Sequence, residues 1–170
     1  MNSIQPRQIR NRQATRFLPD LLQSIFVGEL LAPSEELWLV SPWISDIPII
    51  NNEAGQFRSL VPEWDLAPIR LSQILQYLAK HSTKIYIAMR DGKHNKPFLQ
   101  YSEIDGVNIY VAPFLHEKGL LGDDYFLSGS FNFTFNGITL NEEMAHLYTD
   151  KAVIAANRIS FNERWRESKT

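Results

Sequence analysis

Residues Leu71–Phe114, LSQILQYLAKHSTKIYIAMRDGKHNKPFLQYSEIDGVNIYVAPF, decide the fold class. Leu71, Ile74, Leu75 and Leu78 recur at i, i+3, i+4 and i+7, the apolar stripe of an amphipathic helix. Lys84–Met89, KIYIAM, is short and apolar and reads as a buried strand that Asp91-Gly92 breaks. Residues 96–104 suit a short helix, Asp105-Gly106 a turn, and Val107–Phe114 a second strand. Upstream, Glu36–Ile44, ELWLVSPWI, starts as a buried strand and ends at Ser41-Pro42. The order is strand, helix, strand, helix, strand. That order belongs to βαβ units, in which helices cover a parallel sheet.

Outward from this unit the pattern changes on both sides. Pro19 suits the first turn of a helix, where its missing N–H costs little, and Leu21, Leu22, Ile25, Phe26 and Leu30 continue at helical spacing. Asn51–Pro68 contains Asn-Asn, Gly and two prolines and reads as a long excursion that rims the functional cleft. Downstream, Lys118–Leu121 and Tyr125–Ser128 form a hairpin across Gly122-Asp123-Asp124. Met144–Tyr148 adds a strand. Asp150 can N-cap a last helix that runs to Trp165, with Val153, Asn157, Phe161 and Trp165 along one stripe. The expected fold class is α/β: a mixed, largely parallel sheet flanked by helices.

The chain has 170 residues, 44% hydrophobic and 21% charged, which suits one domain over residues 1–170. Residues 1–17 are a basic segment with Arg7, Arg10, Arg12 and Arg16 and no acid, read as a flexible extension. A second basic stretch holds Lys80, Lys84, Arg90, Lys93 and Lys96 against Asp91. The net charge of −2 argues against coating nucleic acid by bulk charge and leaves local phosphate-binding surface open. With no cysteine there is no disulfide scaffold, thiolate zinc site or cysteine nucleophile. No apolar run is long enough to span a bilayer. A cytoplasmic location follows by default, with no membrane partner.

The chemistry concentrates in His116–Glu143, HEKGLLGDDYFLSGSFNFTFNGITLNEE. His116 and Lys118 are two apart at a strand end and so face one side. Gly129 lets a backbone approach closely, and Ser130 and Asn132, again two apart, offer a hydroxyl and an amide. A nucleophile or base, a fixed cation and two neutral donors are the parts that hold and attack a phosphate. Asp123 and Asp124 are most simply turn residues. His81 reads as complementing a helix C-terminus. His94 and His146 have no metal-ligand spacing. Trp38, Trp43 and Trp165 read as core or interface, and Trp64, in the long excursion, as a candidate nucleic-acid contact.

These residues resemble the phospholipase D superfamily, whose motif is His-x-Lys, four residues, Asp, then Gly-Ser-x-Asn after a short strand. His116, Lys118, Asp123, Gly129, Ser130 and Asn132 fill it, with one residue fewer between Asp123 and Gly129 than in the bacterial endonuclease branch. Asn141 and Glu143 match the family's later Asn-x-Glu. The stretches LWLVSPWISDIPIIN and NGITLNEE look like the phospholipase-D-like proteins of prokaryotic DNA restriction islands, including those linked to 7-deazaguanine DNA modification. The resemblance implies a metal-independent phosphodiesterase without cofactor, acting on DNA. His116 would form a phosphohistidine, and Glu143 would orient its imidazole. Lys118, Ser130 and Asn132 would clamp the phosphate, and Asp123 would take a structural or orienting place in the site. One motif per chain implies a homodimer, with further subunits of a restriction or defence complex as possible partners. The competing readings are a catalytically weak nucleic-acid-binding or assembly subunit and a lipid phosphodiesterase.

Overall fold

A computed structural model describes residues 6–11, 17–100, 103 and 106–166. Strand β1 is Arg7–Asn11, helix α1 Phe17–Leu31, β2 Glu36–Val40, β3 Pro48–Ile50, β4 Ile69–Arg70, α2 Leu71–Lys80 and β5 Lys84–Met89. Then follow α3 Lys96–Gln100, β6 Val107–Val111, β7 Gly119–Leu121, β8 Phe126–Gly129, β9 Glu143–Tyr148 and α4 Lys151–Phe161. Single π-helical turns lie at Asn136–Leu140 and Asn162–Arg166.

Seven strands form the main sheet in the order β1-β9-β8-β7-β2-β5-β6. The parallel pairings are β2–β5 and β5–β6, the βαβ unit read from the sequence. The pairings β2–β7, β7–β8, β8–β9 and β1–β9 are antiparallel. The mixed sheet flanked by helices therefore stands, with its parallel part limited to three strands, because tight connections such as the β7–β8 hairpin can only join antiparallel neighbours.

One face carries Leu37, Leu39, Ile85, Ile87, Leu120 and Leu127 into a core closed by α1 and α2. The other face carries Trp38, Tyr86, Tyr110, Leu121 and Phe126 against Phe161 and Trp165. Trp38 stacks on Tyr86 with ring centroids 4.7 Å apart. Asp150 caps α4 by accepting from the amides of Ala152 and Val153, satisfying donors that a helix start leaves unpaired.

Some expectations change. Arg7–Asn11, read within a flexible extension, is an edge strand on β9; Arg12 and Arg16 lie outside the described residues. The helix read over 96–104 is described as Lys96–Gln100, and part of the remainder lies outside the described residues. The excursion does not rim the cleft described below. It lies along α1 and α2, where the Asn51 amide donates to Gln23 Oε1 and Trp64 meets Tyr77 edge-on at 5.6 Å. Trp64 packs there against the core margin.

Candidate active site

The site forms where β2 and β5 end and β7 begins, at the carboxyl ends of the parallel strands, where open α/β sheets bind ligands. Loops there are pinned by Asn95, which is 1% exposed. Its Oδ1 accepts from the Ile44 amide, and its Nδ2 donates to the carbonyls of Pro42 and Arg90. A single amide thus ties the loop after β2 to the loop after β5.

His116, Glu117, Lys118, Phe126, Ser128, Gly129, Ser130, Met144 and His146 line an open cleft of about 480 Å³. His116 is exposed at its mouth and Lys118 is 7% exposed. Lys118 Nζ lies 2.6 Å from the His116 carbonyl, to which it donates, and 3.3 Å from His116 Nδ1. With the ammonium donating, Nδ1 is the acceptor and the ring proton sits on Nε2. Burial holds the Lys118 ammonium below the ordinary lysine range; the Glu143 carboxylate opposes this and the Arg90 guanidinium adds to it. Arg90, part of a basic stretch in the sequence, also reaches this site. Its Nε donates to the Leu115 carbonyl at 2.6 Å, and its guanidinium lies 5.9 Å from the Trp43 ring centroid.

Gly129 ends β8 where β9 presses close. A Cβ there would stand 2.2 Å from the Met144 carbonyl oxygen, so no other residue fits without moving β9. This close pairing brings Ser130 to Glu143. Ser130 Oγ donates to Glu143 Oε2 and accepts from the Met144 amide at 3.1 Å. Asn141 Nδ2 donates to Glu143 Oε1 at 3.3 Å. The Glu143 carboxylate thus holds Ser130 and Asn141, and its charge acts on the Lys118 ammonium, whereas the family resemblance implies that it orients the imidazole. Asn132 is not among the residues that line the cleft; its Oδ1 accepts from Ser41 Oγ at 3.4 Å. Gly137, in the π-helical turn, seats on it, since a Cβ would meet the Asn132 carbonyl oxygen at 2.4 Å.

Asp123 is not brought into the cleft. It sits at the opposite end of β7, in the hairpin turn. Its Oδ2 accepts from the Glu35 amide at 2.6 Å, its Oδ1 pairs with Arg158 Nη2 at 2.9 Å, and its amide donates to Ser34 Oγ. The neighbouring Asp124 is exposed and pairs with Lys151. A motif spacing fixes a residue's place in the chain, and a three-residue strand then carries it to the far edge of the sheet. Conversely, His146, which has no metal-ligand spacing in the sequence, lines the cleft, because β9 sets it opposite Ser128. His81 caps α2, its Nδ1 2.7 Å from the Tyr77 carbonyl, and His94 meets Trp43 edge-on. Among the described residues no three His, Cys, Asp or Glu side chains gather as a metal site, and no helix is long and apolar enough to cross a membrane.

A search of curated protein sequences finds no match. Among solved structures the chain is similar to NucT from Helicobacter pylori, with TM-score 0.62 and 13% identity over 92% of this chain and 95% of that one. It is similar to the phospholipase D family member Nuc from Salmonella typhimurium, with TM-score 0.62 and 13% identity over 94% of both chains. Polyphosphate kinase from Porphyromonas gingivalis shares the fold at TM-score 0.61 and 11% identity, over 92% of this chain and 25% of that one. At such identities these likenesses carry the fold. The family model described as "Cardiolipin synthase, PLD-like domain" matches residues 46–165, which include His116, Lys118, Ser130, Asn132 and Glu143. The chain belongs to this phospholipase-D-like domain family.

Proposed function

We propose that the protein is a phosphodiesterase that needs no metal and acts on DNA through a phosphohistidine. The observation that carries this is the meeting of an exposed imidazole, a buried ammonium and the Ser130 hydroxyl in one cleft. Lys118 and Ser130 bind the non-bridging phosphate oxygens. On substrate binding Lys118 turns from the imidazole to phosphate, and the ring carries its proton on Nδ1. His116 Nε2 then attacks phosphorus, and the N–P bond forms as the P–O bond to the leaving group breaks. The departing oxygen must gain a proton in that step, and water must lose one in the second, when the N–P bond breaks.

His146 is separated from His116 by the whole of β8, about 10 Å at the usual strand spacing, so it is not assigned this proton. His116 of the partner subunit supplies it in a two-fold homodimer, the two imidazoles roughly 5–8 Å apart across the phosphate. Phe114, two residues before His116 and 93% exposed, is an apolar side chain for such a partner to cover. Asp123 takes a structural role. The restriction-island setting and the link to 7-deazaguanine modification rest on the sequence resemblance of Leu37–Asn51 and residues 136–143. The one-domain reading of residues 1–170 is part of the same proposal.

A lipid phosphodiesterase is the second reading, favoured by the description of the matched family. DNA is preferred because the face beside the cleft carries Gln8, Arg10 and Ser128. Purified protein in EDTA is offered single-stranded DNA, plasmid and phosphatidylcholine vesicles. Cleavage of DNA alone supports the proposal. Turnover of phosphatidylcholine alone supports the second reading. DNA binding without turnover points to a binding or assembly subunit. Mixing wild-type with His116→Ala chains should give heterodimers with little activity; full activity from a monomer would reject the shared site.

A further inference from the structure

Beyond the cleft, the antiparallel half of the sheet has one face that α4 leaves open. The pairing register sets two rows across it. Ser128, His146 and Gln8 stand opposite one another on β8, β9 and β1, and Met144 stands opposite Arg10 in the next row. Ser130 extends that second row, bonded through its amide to the Met144 carbonyl. Gln8, Arg10, Ser130 and Met144 are exposed and Ser128 and His146 half-buried. The alternate residues Leu127, Ala145, Leu147 and Ile9 face the core, so the rows belong to the open side. The rows begin at the catalytic cleft, since Ser128, Ser130, Met144 and His146 line it.

The chemistry along these rows is uneven. Arg10 is a fixed cation, Gln8 and Ser128 are neutral donors, and His146 has an imidazole N–H. Met144, whose sulfur lies 2.7 Å from Gln8 Nε2, gives a polarisable apolar surface, and Tyr148 on β9 stands 6.3 Å from the His146 ring centroid. Of the acids beside the cleft, Glu117 is paired with Arg164 at 2.6 Å and Glu143 is held by Ser130 and Asn141. Donors and a cation with apolar patches between them are the surface that a single-stranded polynucleotide takes, with phosphates on the cation and unpaired bases on the patches. A duplex buries its bases and cannot use those patches.

We infer that Gln8, Arg10, Ser128, Met144 and His146 form a track for the single strand flanking the scissile phosphate, running from His116 across β8 and β9 to β1. The inference rests on the phosphodiesterase reading for what happens at His116, and its test reads binding alone. The full chain carrying His116→Ala is titrated with labelled oligothymidylates of increasing length and with duplexes of matched length. The single strand should bind at least about tenfold tighter than the duplex. Adding Arg10→Gln should weaken single-strand binding several-fold and reduce the salt slope by about one. His146→Gln and Met144→Ala should each weaken it further, whereas Lys84→Gln, at the opposite end of the sheet, should not. Equal affinity for duplex, or single-strand affinity unmoved by Arg10→Gln and His146→Gln together in a folded protein, overturns the track. If strands bind as expected but the unmutated protein hydrolyses no phosphodiester, the track stands and the catalytic reading falls.

Discussion

The β7–β8 hairpin has two ends built on opposite principles. At its turn, every polar group that matters is answered from within the chain. Glu29, 2% exposed, accepts from the Ser34 amide, Ser34 Oγ and Tyr125 OH. Burial, then the Glu29 carboxylate, pushes the Tyr125 hydroxyl well above the ordinary tyrosine range, so it stays a donor. Asp123 joins this network through its amide, which donates to Ser34 Oγ, while its carboxylate holds the Glu35 amide and Arg158, and Arg158 reaches on to Glu36. At the open end, His116 is exposed and the Lys118 ammonium is buried with an imidazole and a carbonyl for company. A charge held in so little water is costly, and the Glu143 carboxylate offsets that cost only in part, since burial still lowers the Lys118 pKa. Two residues of one sequence motif, Lys118 and Asp123, are therefore placed differently: one lies in the cleft beside His116, where the proposed function gives it a phosphate to bind, and the other fastens the hairpin that carries it.

The two ends should respond to substitution in opposite ways. His116→Ala should lower the rate of DNA hydrolysis by at least about 10³-fold with an unchanged denaturation midpoint; wild-type turnover in the mutant, contaminating nuclease excluded, contradicts the assignment. Asp123→Ala should do the reverse. It deprives the Glu35 amide and Arg158 of a charged acceptor, so urea denaturation should show a loss of about 1–3 kcal/mol, with kcat of the folded fraction within a few-fold of wild type. A loss of kcat like that of His116→Ala would place Asp123 in the reaction.

A finer distinction comes from pH. The Lys118 ammonium is present below its lowered pKa and lost above it. The alkaline fall in kcat/KM should therefore begin below the ordinary lysine range, and Arg90→Gln should move it upward by removing a like charge. Over that window the unfolded chain binds more protons than the folded one, so stability rises with pH, and Lys118→Met should flatten this rise. The smallest expected effect is that of EDTA, which should leave the hydrolysis rate unchanged; a strict magnesium requirement would point to different chemistry.

The sequence made the parallel unit legible because Leu71–Lys80 and Lys84–Met89 carry strong, differing periods, and it made the hairpin legible through its turn residues. Strand β1 was not legible: RQIRN has one apolar residue, and an edge strand held through backbone pairing needs no more. The π-helical turn at Asn136–Leu140 and the two-residue β4 leave no period to read. Within the site, His116, Lys118 and Ser130 were legible from spacing. Arg90, Asn95 and His146 enter it through tertiary register, which no local pattern encodes. Asp123 matched the motif, yet strand length carries it out of the cleft.

The stereochemical course at phosphorus tests the central claim most directly. Hydrolysis of a DNA phosphorothioate of known configuration in isotopically labelled water reports the number of displacements, whether or not an intermediate accumulates. Attack by His116 followed by attack by water is two in-line displacements, and the account predicts net retention. Net inversion would mean that water attacks directly and would contradict a phosphohistidine at His116.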